Sequence, residues 1–214
     1  MKKTNKTEIA IWMAAVLPLI ITAVLYARLP DRIPMHWNIA GEIDGYGARM
    51  QAFIIPAMSL GTSVLMKLSP RFDPKSENYK KFGGAFDAFR LTLALFFLVM
   101  TGVTLYAAFD PEGLPVSNII IACVGGLFCV IGNFMPKFKH NYFIGIRTPW
   151  TLASEEVWHA THRMAGPVWC VAGLVMLATA FLPFAAVQAW VVLGAAAICA
   201  LVPMVYSYIL YKRA

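Results

Sequence analysis

Glu155, His159 and His162 stand at intervals of four and three in the segment SEEVWHATHRMAG, Ser154 to Gly166. On a helix those intervals place side chains on one face. A carboxylate with two imidazoles is a donor set able to hold zinc and activate water for hydrolysis. Trp158 shares that face, and Arg163 lies four residues beyond His159. Two other readings of the same residues stay open. Ion pairs and hydrogen bonds among Glu155, His159 and Arg163 would fold the segment against its neighbours, as such surface pairs commonly do. Alternatively, Arg147 and Arg163 act as fixed donors and Trp150 and Trp158 as anchors of a recognition surface, since Arg and Trp are enriched at binding hot spots.

The metal reading departs from known hydrolytic patterns. His-Glu-x-x-His is absent, and Ala160 stands where the Glu-Glu-x-x-x-Arg pattern of membrane-embedded prenyl-protein-type proteases needs its Arg.

The elements that would position these residues can be read from their neighbours. Pro136 stops a preceding apolar run, and Gly145 allows a sharp bend. Pro149 disfavours helical geometry at Thr148. Ser154 then reads as a helix N-cap, with Glu155 and Glu156 in the first turn where the helix dipole favours negative charge.

This polar stretch lies between apolar runs of membrane length. Uncharged runs cover Ile9–Ala27, Met50–Met66, Leu91–Phe109, Val116–Pro136 and Met164–Tyr211 in a chain that is 59% hydrophobic and only 14% charged. About 20 apolar residues in a helix span a hydrocarbon core about 30 Å thick. The last run is 48 residues long, and Leu182-Pro183 followed by Gln188 divides it into two helices. The expected fold is therefore all-α: a single six-helix polytopic membrane domain over residues 1–214. The second span, with Pro56 and Gly61, is the weakest of the six. The first span is longer than a signal-peptide core and reads as a retained helix.

Basic residues orient the six spans. With the N-terminus inside, Lys2, Lys3, Lys6, Lys67, Arg71, Lys75, Lys80, Lys81, Arg90, Lys137, Lys139, Arg147, Arg163, Lys212 and Arg213 fall on one side. Arg28, Arg32 and Arg49 fall on the other, so both termini are expected in the cytoplasm. The net charge of +7 then belongs to a face meeting anionic lipid and not to a nucleic-acid contact. Cys123, Cys129, Cys170 and Cys199 all lie in spans and read as small packing residues. The spans hold no ionisable group of the kind carriers keep at about 2.5–3.5 kcal/mol each. Asp87 and Arg90 sit at the start of the third span, close enough to its boundary to snorkel.

Two loops then stand out. Residues 29–50 form an extracytoplasmic loop, RLPDRIPMHWNIAGEIDGYGAR from Arg28, with Pro30 and Pro34 keeping its entry extended. MHWNI reads as a short strand, and Gly41, Gly45 and Gly47 as positive-φ turn positions. The result is a small cap, either a rigid lid or a docking surface. Residues 136–164 form a folded cytoplasmic loop. The link KLSPRFDPKSENYKKFGG reads as a headgroup-hugging connection without chemistry, and DPEGLP as a solvated turn.

The segment GNFMPKFKHNYFIGIRTPWTLASEEVWHATHRMAG, Gly132 to Gly166, resembles the signature of the SdpI-like membrane immunity family. Pro136, Lys137, Asn141, Gly145, Arg147, Pro149, Trp150, Thr151, Trp158, Thr161, His162 and Arg163 carry the likeness. The outer loop is similar to the family's companion domain through Pro34, His36, Trp37, Asn38 and Gly41. His159 is not part of the pattern. The resemblance implies a non-enzymatic protein of the bacterial cytoplasmic (inner) membrane, with no cofactor and no direct nucleic-acid contact. It would protect its cell against a secreted peptide toxin met by the outer loop. The inner loop would hold a small repressor protein at the membrane. A metal-dependent hydrolase using Glu155, His159 and His162 is the alternative.

Overall fold

The structure is a computed structural model that describes residues 4–213; Lys2 and Lys3, counted above for orientation, lie outside the described residues. Helix α1 (Thr4–Leu25) leads into a two-stranded antiparallel hairpin, β1 (Arg32–Trp37) and β2 (Ile43–Ala48). Helices α2 (Ile54–Phe72), α3 (Tyr79–Phe109) and α4 (Val116–Phe134) follow. After an irregular segment come the short α5 (Pro149–Ala153), then α6 (Glu155–Thr179) and α7 (Ala185–Arg213).

Why the chain is a membrane bundle follows from what it leaves uncovered. Val24 is 71% exposed, Val171 61% and Trp190 74%, an arrangement that only a hydrocarbon surround makes favourable. The protein is an all-α polytopic membrane protein. Five helical segments among the described residues are long and apolar enough to cross a bilayer: 6–28, 49–72, 76–109, 116–137 and 185–213. The sixth expected span corresponds to α6, whose first nine residues include Glu155, Glu156, His159, His162 and Arg163. Its uncharged part begins only at Met164, which leaves it short of that measure. As expected, the last apolar run breaks at Leu182-Pro183, between α6 and α7.

The helices form two groups. Helices α1, α2 and α3 pack on one another, α6 packs on α4 and α7, and α3 and α4 join the groups. The α4–α6 approach is the closest. A Cβ on Gly132 would stand 2.6 Å from the Gly166 carbonyl oxygen, and one on Gly125 2.8 Å from that of Gly173. Small residues permit such backbone contact between membrane helices. Between the two glycine pairs, the Cys129 and Cys170 thiols each donate to the other residue's carbonyl, so both are packing residues here.

Arg90 does not snorkel. Its side chain is 2% exposed and its guanidinium donates to Glu8 at 2.9 Å and to Asp87 at 3.1 Å, while Lys67 reaches Glu8 at 2.8 Å. A buried cation is tolerated only when paired, and this cluster ties α1, α2 and α3 together.

The hairpin and the irregular segment lie at opposite ends of the bundle. Ile33 of β1 is buried with Leu29, Ala52, Leu105 and Ala108, near the end of α3. Phe138 is buried with Tyr79, Phe82, Phe86 and Phe89, at the start of the same helix.

Candidate functional site

The segment from Lys137 to Arg163 is a knot built around Asn141, His162 and Trp158. Asn141 is fully buried. Its Oδ1 accepts the Phe143 and Ile144 N–H groups at 2.9 and 2.7 Å, and its Nδ2 donates to the Lys139 and Ile144 carbonyls. One side chain thereby replaces the backbone pairing that an irregular loop cannot supply. Gly145 follows with φ 112°, and a Cβ there would fall 2.3 Å from His162 Nε2. The bend needs glycine for both conformation and space.

His162 closes the knot from α6. Its Nε2 accepts the Ile146 N–H at 2.9 Å, and its Nδ1 donates to the Trp158 carbonyl at 2.8 Å. Burial holds its pKa down at about 4, with the hydrogen bond to Trp158 opposing the shift and His159 and His140 adding to it. The ring is neutral at cellular pH. Trp158 is fully buried, stacks on His162 with ring centroids 4.0 Å apart, and donates its indole N–H to the Phe138 carbonyl.

Thr148 caps α5 in a reciprocal box with Thr151, the arrangement that satisfies two orphan donors at once. The Thr151 hydroxyl also donates to the Ile146 carbonyl at 2.8 Å. The Thr148 hydroxyl meets the Ser207 hydroxyl at 3.0 Å, and Trp150 packs on Tyr208 at 5.0 Å, so the knot docks on the end of α7. Ser154 caps α6 by accepting the Val157 N–H, as its sequence predicts.

The expected face of α6 is thus divided. Trp158, Thr161 and His162 point inward, while Glu155, an exposed residue, pairs only with His159 at 3.5 Å. Both His162 nitrogens are committed within the knot, and among the described residues no three His, Cys, Asp or Glu side chains gather as metal ligands. Glu155, His159 and His162 do not converge here as one donor set. Of the twelve signature residues, Asn141, Thr151, Trp158, Thr161 and His162 are interior and shape the loop. Pro136, Lys137, Gly145, Arg147, Pro149 and Arg163 are exposed, and Trp150 is half-buried against α7. Arg147 is held in place by donating to the Tyr142 carbonyl at 2.8 Å.

The link after α2 supplies partners that sequence reasoning left without a role. Asp73 is 4% exposed and accepts the Tyr142 N–H at 2.9 Å and the Tyr79 hydroxyl at 3.0 Å. Asn78 donates to the His140 carbonyl, and the Lys75 ammonium donates to His140 Nδ1 at 2.9 Å. Burial and that ammonium both push the His140 pKa down. The one sequence hint was Ser-Pro and Asp-Pro in quick succession, a rigid turn too specific for a bare linker.

The comparisons with known proteins match these two ends of the molecule. The SdpI/YfhL protein family matches residues 137–207, the knot with α6 and most of α7. A domain of unknown function, DUF1648, matches residues 13–60, which take in the hairpin. Immunity protein SdpI of Bacillus subtilis (strain 168) is 29% identical over 167 residues, 77% of this chain and 77% of that protein. Over residues 137–207, about a third of its length, the chain is thus similar to the SdpI/YfhL family. No solved structure matches it.

The hairpin, within the DUF1648 match, is a firm cap. Asn38 and Glu42 bond to each other through side chains and backbone, Gly41 turns with φ 83°, and the His36 Nδ1 pairs with Asp44. Pro34 is buried, Trp37 half-buried and His36 exposed. Only Gly41 of the three loop glycines has a positive φ. Gly45 and Gly47 are crowded instead: a Cβ on the first would meet the His36 Cβ at 2.9 Å, and one on the second would displace the Gln51 amide.

Proposed function

We propose that this membrane immunity family member protects a bacterial cell against a secreted, membrane-active peptide. It crosses the cytoplasmic membrane six times, with its termini and the Lys137–Arg163 knot inside and the hairpin outside. The carrying observation is that the SdpI/YfhL match takes in the Lys137–Arg163 knot and the DUF1648 match the hairpin, the two ordered ends of the bundle, while Immunity protein SdpI is similar over 77% of the chain. The charge asymmetry supports the orientation, because Lys137, Arg147 and Arg163 surround the knot while the hairpin end holds Arg28, Arg32 and Arg49 alone.

At the inner end, a rigid interior fixes an exposed basic set. Arg147 and Arg163, with Lys137, Pro136, Pro149 and the edge of Trp150, form a surface for a small cytoplasmic repressor, which the protein holds at the membrane. At the outer end, His36, Trp37 and Asn38 face the peptide. The role of the interior Asn141, Thr151, Trp158, Thr161 and His162, and of Gly145 at the bend, is to keep that inner surface in shape. No catalytic step and no metal are assigned.

The test is survival. A sensitive bacterial strain expressing the chain should withstand membrane-active peptides secreted by its source that kill the empty-vector strain. Equal killing of both strains across that panel overturns the immunity role. Single-cysteine variants at His36 and Arg147 should react with an impermeant maleimide in intact cells only at position 36. Labelling at 147 alone reverses the orientation. For the inner surface, Arg147→Ala should abolish cross-linked capture of a cytoplasmic protein while leaving insertion intact; identical captures from both forms remove that role.

A further inference from the structure

Beneath the hairpin lies a cavity of about 700 Å³ between the two helix groups. Its walls come from Trp37, the start of α2 at Ile55, α3 at Met100 and Val103, α4 at Ile120 and α7 at Val192. A second hollow, also about 700 Å³, shares His36, Trp37, Asn38, Ile39 and Ala185 with it and reaches Asp44 at the outer surface. The two form one cleft, running from the hairpin down between the helix groups. Each part has the size of a ligand site, for which about 300–1,000 Å³ is usual.

The cleft is apolar below and polar at its mouth. Among the described residues no Lys or Arg lines either part. Gln188, only 4% exposed, lines the wall with its amide nitrogen held by the Thr179 and Leu182 carbonyls. Among the described residues no protein donor reaches its Oε1, so a buried acceptor faces the cleft. Asp44 adds a carboxylate at the mouth, where it pairs with His36, and Glu42, bonded to Asn38, stands two residues before it in the chain. Donors are present too. Helix α4 begins without a side-chain cap, and Ser117 in its first turn lines the cavity, so orphan N–H groups and partial positive charge meet the same space.

This set selects among occupants. A hydrocarbon chain would need only the walls. An anionic headgroup would meet the α4 terminus but also two full negative charges. An amide-rich chain with apolar side chains and a flanking ammonium or guanidinium satisfies every feature. We propose that the cleft binds an apolar, cation-flanked peptide segment, its side chains between the helix groups and its Lys or Arg against Asp44 and Glu42. This rests on the immunity reading and gives it a place: the peptide is taken up within the outer leaflet.

The full chain in phosphatidylcholine nanodiscs is titrated with a dansyl-labelled Leu/Ala helix flanked by two lysines at each end. Saturable binding is expected beyond that of empty discs. It should weaken at least tenfold in Glu42→Gln/Asp44→Asn, which removes both charges but keeps side-chain size and hydrogen-bonding oxygens, and in Val192→Trp, which fills the cavity. The same helix flanked by glutamates should not saturate. Equal binding to empty discs, or binding indifferent to these variants and to charge reversal, overturns the proposal. So does a co-purifying phospholipid that Val192→Trp removes while peptide binding persists, which makes the cleft a lipid site. Survival assays separate the two readings. If the wild type protects and the variants protect equally, only the cleft assignment fails. If the wild type does not protect, the immunity reading fails, and the titration still decides the cleft.

Discussion

The Nε2 of His162 accepts the backbone N–H of Ile146 at 2.9 Å, fastening the bend after Gly145 to the second turn of α6. The bond requires an unprotonated nitrogen, which gives the knot a pH dependence of definite sign. The folded pKa of about 4 lies below the ordinary 6.5 because burial penalises the charged ring. Stability from the neutral ring is complete above pH 6.5 and is lost as pH falls from there towards 4, a total of about 3 kcal/mol. Hydrogen exchange at the Ile146 amide, corrected for its intrinsic rate, should lose protection across that window. In His162→Gln the corrected profile should be flat.

Gly145→Ala attacks the same bond from the other side. The backbone at φ 112° resists any L side chain, at about 1–3 kcal/mol, and the new methyl would overlap His162 Nε2. Opening of the knot should expose the Arg147–Thr148 bond, so trypsin should cut there at least tenfold faster than in the wild type in nanodiscs. Unchanged cleavage means that the bend is not what protects Arg147.

Asp73 is the test of the link's role. Asp73→Ala leaves the Tyr142 N–H and the Tyr79 hydroxyl without their buried acceptor, a loss of about 1–3 kcal/mol. Because Tyr79 also reaches Asn141 at 3.3 Å, Asp73→Ala and Asn141→Ala should be strongly non-additive in the same proteolysis assay. Additive effects would mean that link and knot are independent.

What the sequence made legible follows from the range of each signal. Apolar run length and punctuation are local, so five of the spans, the break at Pro183, the Ser154 cap and the Gly145 bend could be read directly. Positions Gly45 and Gly47 looked like turn residues, but crowding by His36 and Gln51 is a tertiary fact without a local sign. Helical periodicity placed Glu155, Trp158, His159 and His162 on one face. Only packing reveals that the core boundary runs through that face and consumes both nitrogens of His162. Asp73 and Glu8 escaped notice because their partners lie 69 and 82 residues away.

That last pair makes a further prediction. Arg90→Met removes the cation between Glu8 and Asp87 and leaves carboxylates facing each other in a poorly solvated place. Breaking one side of such a pair typically costs about 3–5 kcal/mol, whereas replacing both sides with apolar groups is often near neutral. Arg90→Met should therefore lower the yield of monodisperse protein in detergent more than Glu8→Met/Asp87→Leu/Arg90→Met does. A triple variant as poor as the single one would assign the loss to something other than the uncompensated charge.

Helices α4 and α6 should be the least tolerant of added bulk. At Gly132 a methyl group would lie 2.6 Å from the Gly166 carbonyl and 2.7 Å from both the Cys170 nitrogen and its Sγ, and backbone atoms cannot turn aside as a side-chain tip can. Gly126, one turn and a half earlier on α4, has open space at the same point. Overpacking usually costs about 1–3 kcal/mol, while Gly→Ala in an unhindered helix interior gains about 0.5–1 kcal/mol. Gly132→Ala should thus lower the sodium dodecyl sulfate fraction at half-unfolding in mixed micelles, and Gly126→Ala should leave it unchanged or raise it. Because α6 carries His162 and Trp158 about one and two turns before Gly166, the Gly132 variant should also quicken trypsin cleavage at Arg147. Quicker cleavage without a shift in the unfolding midpoint would show that the knot senses the α4–α6 spacing directly; a shift without quicker cleavage would show that it does not.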